Sequence, residues 1–289
     1  MVACNMCGGS EARPLFRARG YDLVRCSRCD LAYVANPPDA AALHRLYSAQ
    51  ESDYHAELHD PDSAESRRMG EIAARHLRFT RRFVRQGRLV DVGCSSGEFL
   101  LRAQQAGFAC SGVEFSEDSA AQAERRSGLT IERGTIHDSA LTPRSCDVIT
   151  MFDVIEHVPD PLSDLRAAYA LLAPGGWLVL STPNIDGLFP RASYPLAGVL
   201  GHWPHPEPPH HLYQFSQATL SALVTRAGFA VRGARHCNID LSYTFGTARE
   251  LARMPRQLAY AALFAPLAKL GPLIGMGDWL YLAARKPPE

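Results

Sequence analysis

The chain is short of lysine, of net charge and of uninterrupted apolar sequence. Lys269 and Lys286 are the only lysines among 30 Lys and Arg residues, so almost every cation is an arginine. With arginine so general, a cluster of it carries little information. Thirty acidic residues cancel the thirty basic ones, which removes the global field that draws a protein to nucleic acid or to a membrane and leaves only local patches. The most apolar late stretch, LAYAALFAPLAKLGPLIG at 258–275, is broken by Pro266, Lys269, Gly271 and Pro272. No membrane span is expected there; it reads as a segment that buries one face. Cys4 and Cys7 stand where an export signal needs a basic stretch and an apolar run, so a reducing cytoplasm is the expected compartment. Two phosphate-binding templates are also missing. Both G-x-G-x-x-G and G-x-x-x-x-G-K-[ST] fail at Glu98 in VDVGCSSGEF, residues 90–99.

What the chain does have is size and apolar content: 289 residues, 46% of them hydrophobic, can fill one large α/β domain with a small attachment. The attachment is signalled by cysteine. Cys4-x-x-Cys7, eighteen residues, then Cys26-x-x-Cys29 is the spacing of a two-knuckle structural zinc site, in which four thiolates close a tetrahedron. Two chance pairs or two disulfides are the alternative. Gly8 follows the first knuckle, where a tight turn wants positive φ, and Asp30 holds the matching place after the second. A module of residues 1–38 lies below the ~40 residues that can fold on a core alone, so a metal at its centre is physically sensible. Cys94, Cys110, Cys146 and Cys237 show no such pairing and read as core or turn residues.

Pro37 and Pro38 end the module, and residues 39–87 form a polar, helix-prone linker or lid. Between Arg67 and Arg88 it carries eight arginines and one acid, Glu71, which suits a solvated helix face or a patch for an anionic acceptor. From Arg88 the rhythm changes. RLVDVG, FACSGVEFS, LTIERGT, CDVITMF and GGWLVLSTPN read as strands separated by helical segments, the pattern of a doubly wound, mostly parallel α/β sheet. Two stretches interrupt it, 183–215 and 247–275, before GDWLYLAARK supplies a closing strand. Connections that long are expected to be lids or binding segments over the crevice.

The template that does fit the first turn is acid-x-Gly-x-small-x-Gly, made by Asp91, Gly93, Ser95 and Gly97, with Glu114 ending the second strand twenty-one residues after Gly93. A carboxylate there is placed to accept both hydroxyls of a ribose, while small residues let the backbone approach a ligand at the crevice beyond the strand ends. With TIHD at 135–138 and MFDVIEHVPDP at 151–161, this combination resembles the class I S-adenosylmethionine-dependent methyltransferases over roughly residues 80–285. The resemblance implies that Gly93 to Gly97, with Cys94 and Ser95 between them, wrap the amino-acid part of S-adenosylmethionine. It implies that Glu114 holds the ribose, that Phe115 flanks the adenine and that Asp138 receives the adenine amino group. Asp91, His137, Phe152 and Asp153 join the cofactor-binding set on the same ground. Ser95 replaces the family's usual middle glycine. CNMCGGS, VRCSRCDLAYVANP and PPHHLYQFS narrow the likeness to bacterial methyltransferases with an N-terminal zinc ribbon that serve glycan or natural-product pathways, and EHVPDP to the ubiquinone-type O-methyltransferases.

A sulfonium methyl is already activated, so the protein has chiefly to align acceptor, methyl and sulfur and to exclude water. A base is needed only where the acceptor carries its proton at working pH. Candidates for the acceptor side are Asp153, Glu156 and His157 where the fourth strand opens into the crevice, with His210 and His211 in HWPHPEPPHH; His202 and His205 in that stretch read with them as a rigid lid or as a second metal site. Acceptor specificity is expected in the two insertions plus Tyr47 and Tyr54. A small-molecule acceptor, a sugar or natural-product intermediate methylated on oxygen, is the leading expectation. A ribosomal RNA methyltransferase with a zinc knuckle and a catalytically silent zinc- and cofactor-binding protein are the alternatives, and the zero net charge argues against nucleic acid.

Overall fold

The structure, a computed structural model, describes residues 2–39, 41–43, 45, 63–200, 203, 207–238 and 241–288. Tyr47, Tyr54, His202 and His205 lie outside them. The N-terminal knuckles carry three antiparallel strands, β1 (Ala12–Ala18), β2 (Tyr21–Cys26) and β3 (Ala32–Val34). Helix α1 (Ala64–Thr80) starts on the side chain of Ser63, which accepts from the Ser66 amide. Then comes the alternation expected from sequence: β4 (Gly87–Val92), α2 (Glu98–Gln105), β5 (Phe108–Glu114), α3 (Glu117–Ser127), β6 (Ile131–Arg133), β7 (Cys146–Phe152), α4 (Pro161–Leu171) and β8 (Leu172–Pro183). Helix α5 (Leu188–Leu200) opens the first insertion, and a short strand β9 (Tyr213–Gln214) leads into α6 (Gln217–Arg226) and β10 (Ala230–Cys237). Helix α7 (Leu241–Phe245) precedes the second insertion, which holds α8 (Ala248–Leu251), α9 (Pro255–Leu270) and a 3-10 turn (Gly271–Ile274), and β11 (Trp279–Arg285) follows.

The main sheet has seven strands in the order β10-β11-β8-β7-β4-β5-β6, parallel except where β11 runs antiparallel to both its neighbours. Strands β7 and β8 are near-continuous apolar runs because helices cover both faces. From β4 the chain steps to β5 and β6 on one side and only then to β7 on the other. The carboxyl ends of β4 and β7 therefore lie at the switch point where an open α/β sheet offers its crevice. Helix starts agree with local chemistry. Ser116, Asp160 and Ser216 each accept a hydrogen bond from the amide three residues on, and Ser216 with Thr219 forms a complete capping box.

The N-terminal module does not stand alone. Ala32 and Tyr33 of β3 pair with Gln214 and Tyr213 of β9, so the late chain supplies the fourth strand of the module's own sheet. Beneath that sheet Cys4, Met6, Cys26, Leu31 and Tyr33 share one apolar cluster with Leu162 and Leu165 of α4, Phe215, and Leu220 of α6. The two insertions also pack on each other, Phe189 of α5 against Ala261, Phe264 and Ala268, with Phe245 of α7 in the same cluster. One face of 258–275 is thus buried, as expected from sequence; the opposite face is apolar as well, and Leu258, Leu263 and Leu270 stand exposed on it. One of the two lysines is structural. Lys286 is buried, donates to the carbonyls of Tyr169 at 2.7 Å and Leu172 at 2.8 Å, and lies 4.5 Å from the centre of the Tyr169 ring. A compact ammonium at the carboxyl end of α4 satisfies carbonyls that the helix leaves open.

Because the module shares its core with the large domain, thermal unfolding is expected to be a single transition. Tyr33→Ala, which empties a fully buried position, should cost about 3–5 kcal/mol and move that one transition. Differential scanning calorimetry checks both points, and a separate low-temperature transition for the N-terminal module would contradict them.

Candidate active site

The turn after β4 takes left-handed backbone at three alternate residues, Gly93 (φ 72°), Ser95 (φ 48°) and Gly97 (φ 77°). A Cβ on Gly97 would lie 3.1 Å from the backbone of Ala123, so only glycine lets α2 start this close to α3. Ser95 holds its place because a carboxylate is waiting for its amide. Glu114, buried at the end of β5, accepts from the Ser95 amide at 2.7 Å with Oε2 and from the Ser116 amide at 3.0 Å with Oε1. The acid and the turn thus fix each other. Asp91 lies beneath, its Oδ1 accepting from the Thr150 hydroxyl of β7 at 2.5 Å. Burial pushes the Asp91 carboxyl up to about 7; the Thr150 hydroxyl opposes that and the charge of Glu114 adds to it. Cys94 turns its sulfur into the core, 2.7 Å from where Gly112 would carry a Cβ, so only its backbone belongs to the turn.

The other cofactor candidates spread along the same edge. Phe115 is exposed just past Glu114. Asp138 accepts from both the amide and the hydroxyl of Thr135 with Oδ2, bonds that hold its carboxyl below the usual range. His137 is tied by Nε2 to Asp164 of α4 at 2.8 Å. Phe152 and Asp153 end β7. Asp153 has φ 57°, accepts from the Ser181 hydroxyl at 2.5 Å, and is raised by burial to about 6 against that hydrogen bond. Phe152 stacks on His76 of α1, ring centres 4.0 Å apart, and burial pulls His76 down to about 3. His76 and its neighbour Arg75, which donates to the Asn238 carbonyl at 2.9 Å, were not singled out from sequence. The arginine-rich stretch hid a buried stripe, Ala73, His76, Phe79 and Thr80, whose 3–4 residue spacing was the available signal.

Beyond the end of β7, Glu156, His157 and His211 face one another, their ligand atoms within 4.8 Å. Glu156 is 1% exposed, and among the described residues no hydrogen bond of ordinary geometry reaches either carboxylate oxygen. Its acid is raised well above the usual range by burial and by the neighbouring Asp153. His157 donates from Nδ1 to the His210 carbonyl at 2.9 Å, which directs Nε2 toward Glu156 Oε1, 4.0 Å away. His210 thus enters through its backbone, and its ring is not part of the grouping. From sequence His157 is expected to titrate near the ordinary imidazole value, ~6.5. Burial corrects this, pulling it down to about 4 although the His210 carbonyl favours the charged form.

Four sulfurs gather in the N-terminal module, all within 4.8 Å of one another. Cys4 to Cys29 is 3.4 Å and Cys7 to Cys26 is 3.6 Å, far beyond the ~2.05 Å of a disulfide and close to the edge of a tetrahedron built on ~2.3 Å zinc–sulfur bonds. Burial pushes the Cys26 thiol up, but amides of Arg28 and Cys29 and the neighbouring thiols bring it down to about 7. Gly8 (φ 71°) and Asp30 (φ 66°) take the positive φ expected after each knuckle. The donor set fits zinc.

A family profile described as "Methyltransferase domain" matches residues 64–233. The chain belongs to the methyltransferase-domain family. Among curated relatives, the methyltransferase is similar to the ubiquinone biosynthesis O-methyltransferase of Methylococcus capsulatus, 41% identical over 101 residues, or 33% of this chain and 43% of that one. The corresponding protein of Haemophilus ducreyi is 37% identical over 107 residues, covering 34% of this chain and 45% of the relative. The methyltransferase therefore matches less than half the length of these relatives. Among solved structures, a SAM-dependent methyltransferase of Thermotoga maritima, described as a possible histamine N-methyltransferase, superposes with a TM-score of 0.56 at 20% identity, covering 84% of this chain and 99% of that one. The [4+2]-cyclase SpnF superposes equally well, 0.56 at 18% identity over 88% of this chain and 98% of its own. These likenesses bear on the fold alone. The Rossmann-like architecture with an N-terminal four-cysteine module is the one read from sequence.

Asp91 gives a pH signature. Its folded value, about 7, lies above the ~3.9 of an unfolded aspartate, so its contribution to stability is fully present below ~4, falls as pH rises toward 7 and stays lost above. Asp91→Asn cannot ionise. Relative to that variant, the ligand-free wild type should lose about 3 kcal/mol between pH 4 and 7, measured by urea unfolding at several pH values. Parallel curves across that range would refute the assignment.

Proposed function

We propose that this chain transfers the methyl group of S-adenosylmethionine to a hydroxyl of a small-molecule acceptor, an intermediate of sugar, glycan or natural-product chemistry. The observation that carries the reading is the mutual lock between the Ser95 amide and Glu114, which sets a backbone cradle beside a carboxylate suited to a ribose. S-adenosylmethionine supplies an electrophilic methyl on a sulfonium. Gly93 to Gly97 hold its amino-acid part, Glu114 the ribose, Phe115 the adenine face and Asp138 the adenine amino group. Asp91 supports the turn from below, and Phe152 and Asp153 form the floor with His76. Family membership and the names of the relatives support methyl transfer to oxygen; the acceptor rests on the resemblance of the zinc-ribbon methyltransferases.

On the acceptor side, His157 is the residue to take the hydroxyl proton. It is partly buried, and the bond from Nδ1 to the His210 carbonyl makes Nε2 its basic nitrogen, with burial lowering its pKa to about 4. Glu156 stands beside it, Oε1 4.0 Å from Nε2. The same three groups, Glu156, His157 and His211, fit a divalent cation, since an otherwise unmatched buried carboxylate and two imidazoles are a common ligand set. Such a cation, when bound, would lower the pKa of an acceptor hydroxyl. In the N-terminal module Cys4, Cys7, Cys26 and Cys29 hold one structural zinc, which anchors the strand that pairs with β9.

Four outcomes test this reading. Calorimetry should show S-adenosylmethionine and its demethylated product binding and NAD not binding, with Glu114→Ala weakened by about 2–4 kcal/mol, the worth of charge-assisted bonds to two hydroxyls. Methyl transfer from labelled cofactor should appear on small hydroxylated acceptors and not on total RNA. With an active acceptor, His157→Ala should lower the rate at least about a hundredfold, and the wild-type rate should rise through about pH 4, not 6–7, before levelling. Metal analysis of protein purified without chelator should find about one zinc per chain, and Cys26→Ser should lose it.

A further inference from the structure

The outer face of the second insertion has no counterpart in the chemistry above. Helix α9 buries Ala261, Phe264 and Ala268 against Phe189 and Phe245. Its opposite face is not polar. Leu258, Leu263 and Leu270 are exposed there, Leu263 by 59%, and the following 3-10 turn adds Leu273 at 81% and Ile274 at 62%. Large apolar side chains scattered singly over a surface need no explanation; five on one helix and the turn that continues it form a patch of the kind that marks an interaction site.

The charge around the patch says what covers it. From residue 251 to 277 the chain has no acid, while Arg253 and Arg256 flank the start of α9 and Lys269 its end, all exposed. Among the described residues none of the three is ion-paired. The nearest acid, Glu250, is turned onto the amide and hydroxyl of Thr247. We propose that this face of α9 and its 3-10 turn docks the protein on an anionic lipid surface, leucines in the acyl boundary and the three cations among the headgroups. The element lies in the interface and does not cross it. Pro255–Ile274, twenty residues, is long and apolar enough to span by length and composition alone, but Ala261, Phe264 and Ala268 on its inner face are held in a core cluster with Phe189 and Phe245. A two-fold contact between copies would set the same cations of each chain against each other with no acid in the segment to answer them. Anionic headgroups supply the missing charge. The segment is also fastened to the exit of β8, Leu188 donating to the Met276 carbonyl and Asn184 Nδ2 to the Gly277 carbonyl, both at 2.7 Å, so docking would orient the crevice relative to the bilayer.

The test is sedimentation of the full chain with vesicles of phosphatidylcholine alone and of phosphatidylcholine with phosphatidylglycerol, together with its oligomeric state by analytical ultracentrifugation. The expected result is binding to the mixed vesicles, little to phosphatidylcholine, and loss on adding salt. Leu263→Ser with Leu273→Ser should weaken partitioning by roughly tenfold per residue. Arg253→Gln, Arg256→Gln and Lys269→Gln should weaken it about fivefold each. All these side chains are exposed, so cofactor binding and unfolding temperature should stay as in wild type. The proposal is overturned if anionic vesicles are not bound, if the leucine substitutions leave binding unchanged, or if they instead abolish a dimer in a protein that ignores vesicles.

Discussion

Three residues, Leu212 to Gln214, carry the architecture. On one side the Leu212 carbonyl accepts from the Val34 amide and β9 pairs with β3; on the other the amides of Leu212 and Tyr213 both donate to the carbonyl of Glu156. The cysteine module, the first insertion and the acceptor side are thus joined through one stretch of extended backbone. Its hydrogen bonds are the more consequential for being buried, since each group left unmatched there would cost more than the bond itself contributes. Tyr213 adds a side-chain tie, its hydroxyl donating to the Pro159 carbonyl beside the same loop.

That arrangement gives a metal in the N-terminal module a reason to matter for chemistry it never touches. Three short strands cannot hold a register unaided, and a slip by one residue would turn every side chain to the wrong face. Four sulfurs gathered on one point fix where β3 lies, β3 fixes β9, and β9 fixes the backbone of Glu156. A buried carboxyl with no hydrogen-bond partner persists only where its surroundings over-determine its position.

The sheet was legible because each β-α repeat announces itself by an apolar run, a small-residue turn and a capping side chain, and the crevice was legible because it sits where such turns must face. VDVGCSSG and Glu114 could be read together, and the structure joins them by one 2.7 Å hydrogen bond. What the sequence concealed was long-range pairing. Nothing local in Tyr213 or Gln214 says that they complete a sheet begun some 180 residues earlier, since a two-residue strand has no periodicity. His76 was hidden for a different reason. Its helix is studded with arginines whose stems lie along the surface, and the stripe beneath them shows only when three- and four-residue spacings are counted. The depressed basicity of His157 was likewise out of reach, since it comes from burial by a loop more than fifty residues away.

Lys286, folded against the end of α4, has a practical consequence. With one of the chain's two lysines committed to backbone carbonyls and an aromatic ring, Lys269 is the sole side-chain amine open to solvent. Amine-directed reagents will therefore attach to this protein at essentially one side chain, and that side chain neighbours the exposed Leu270 at the end of α9. A solvatochromic dye placed there without any engineered cysteine would report on whatever medium that end of α9 meets.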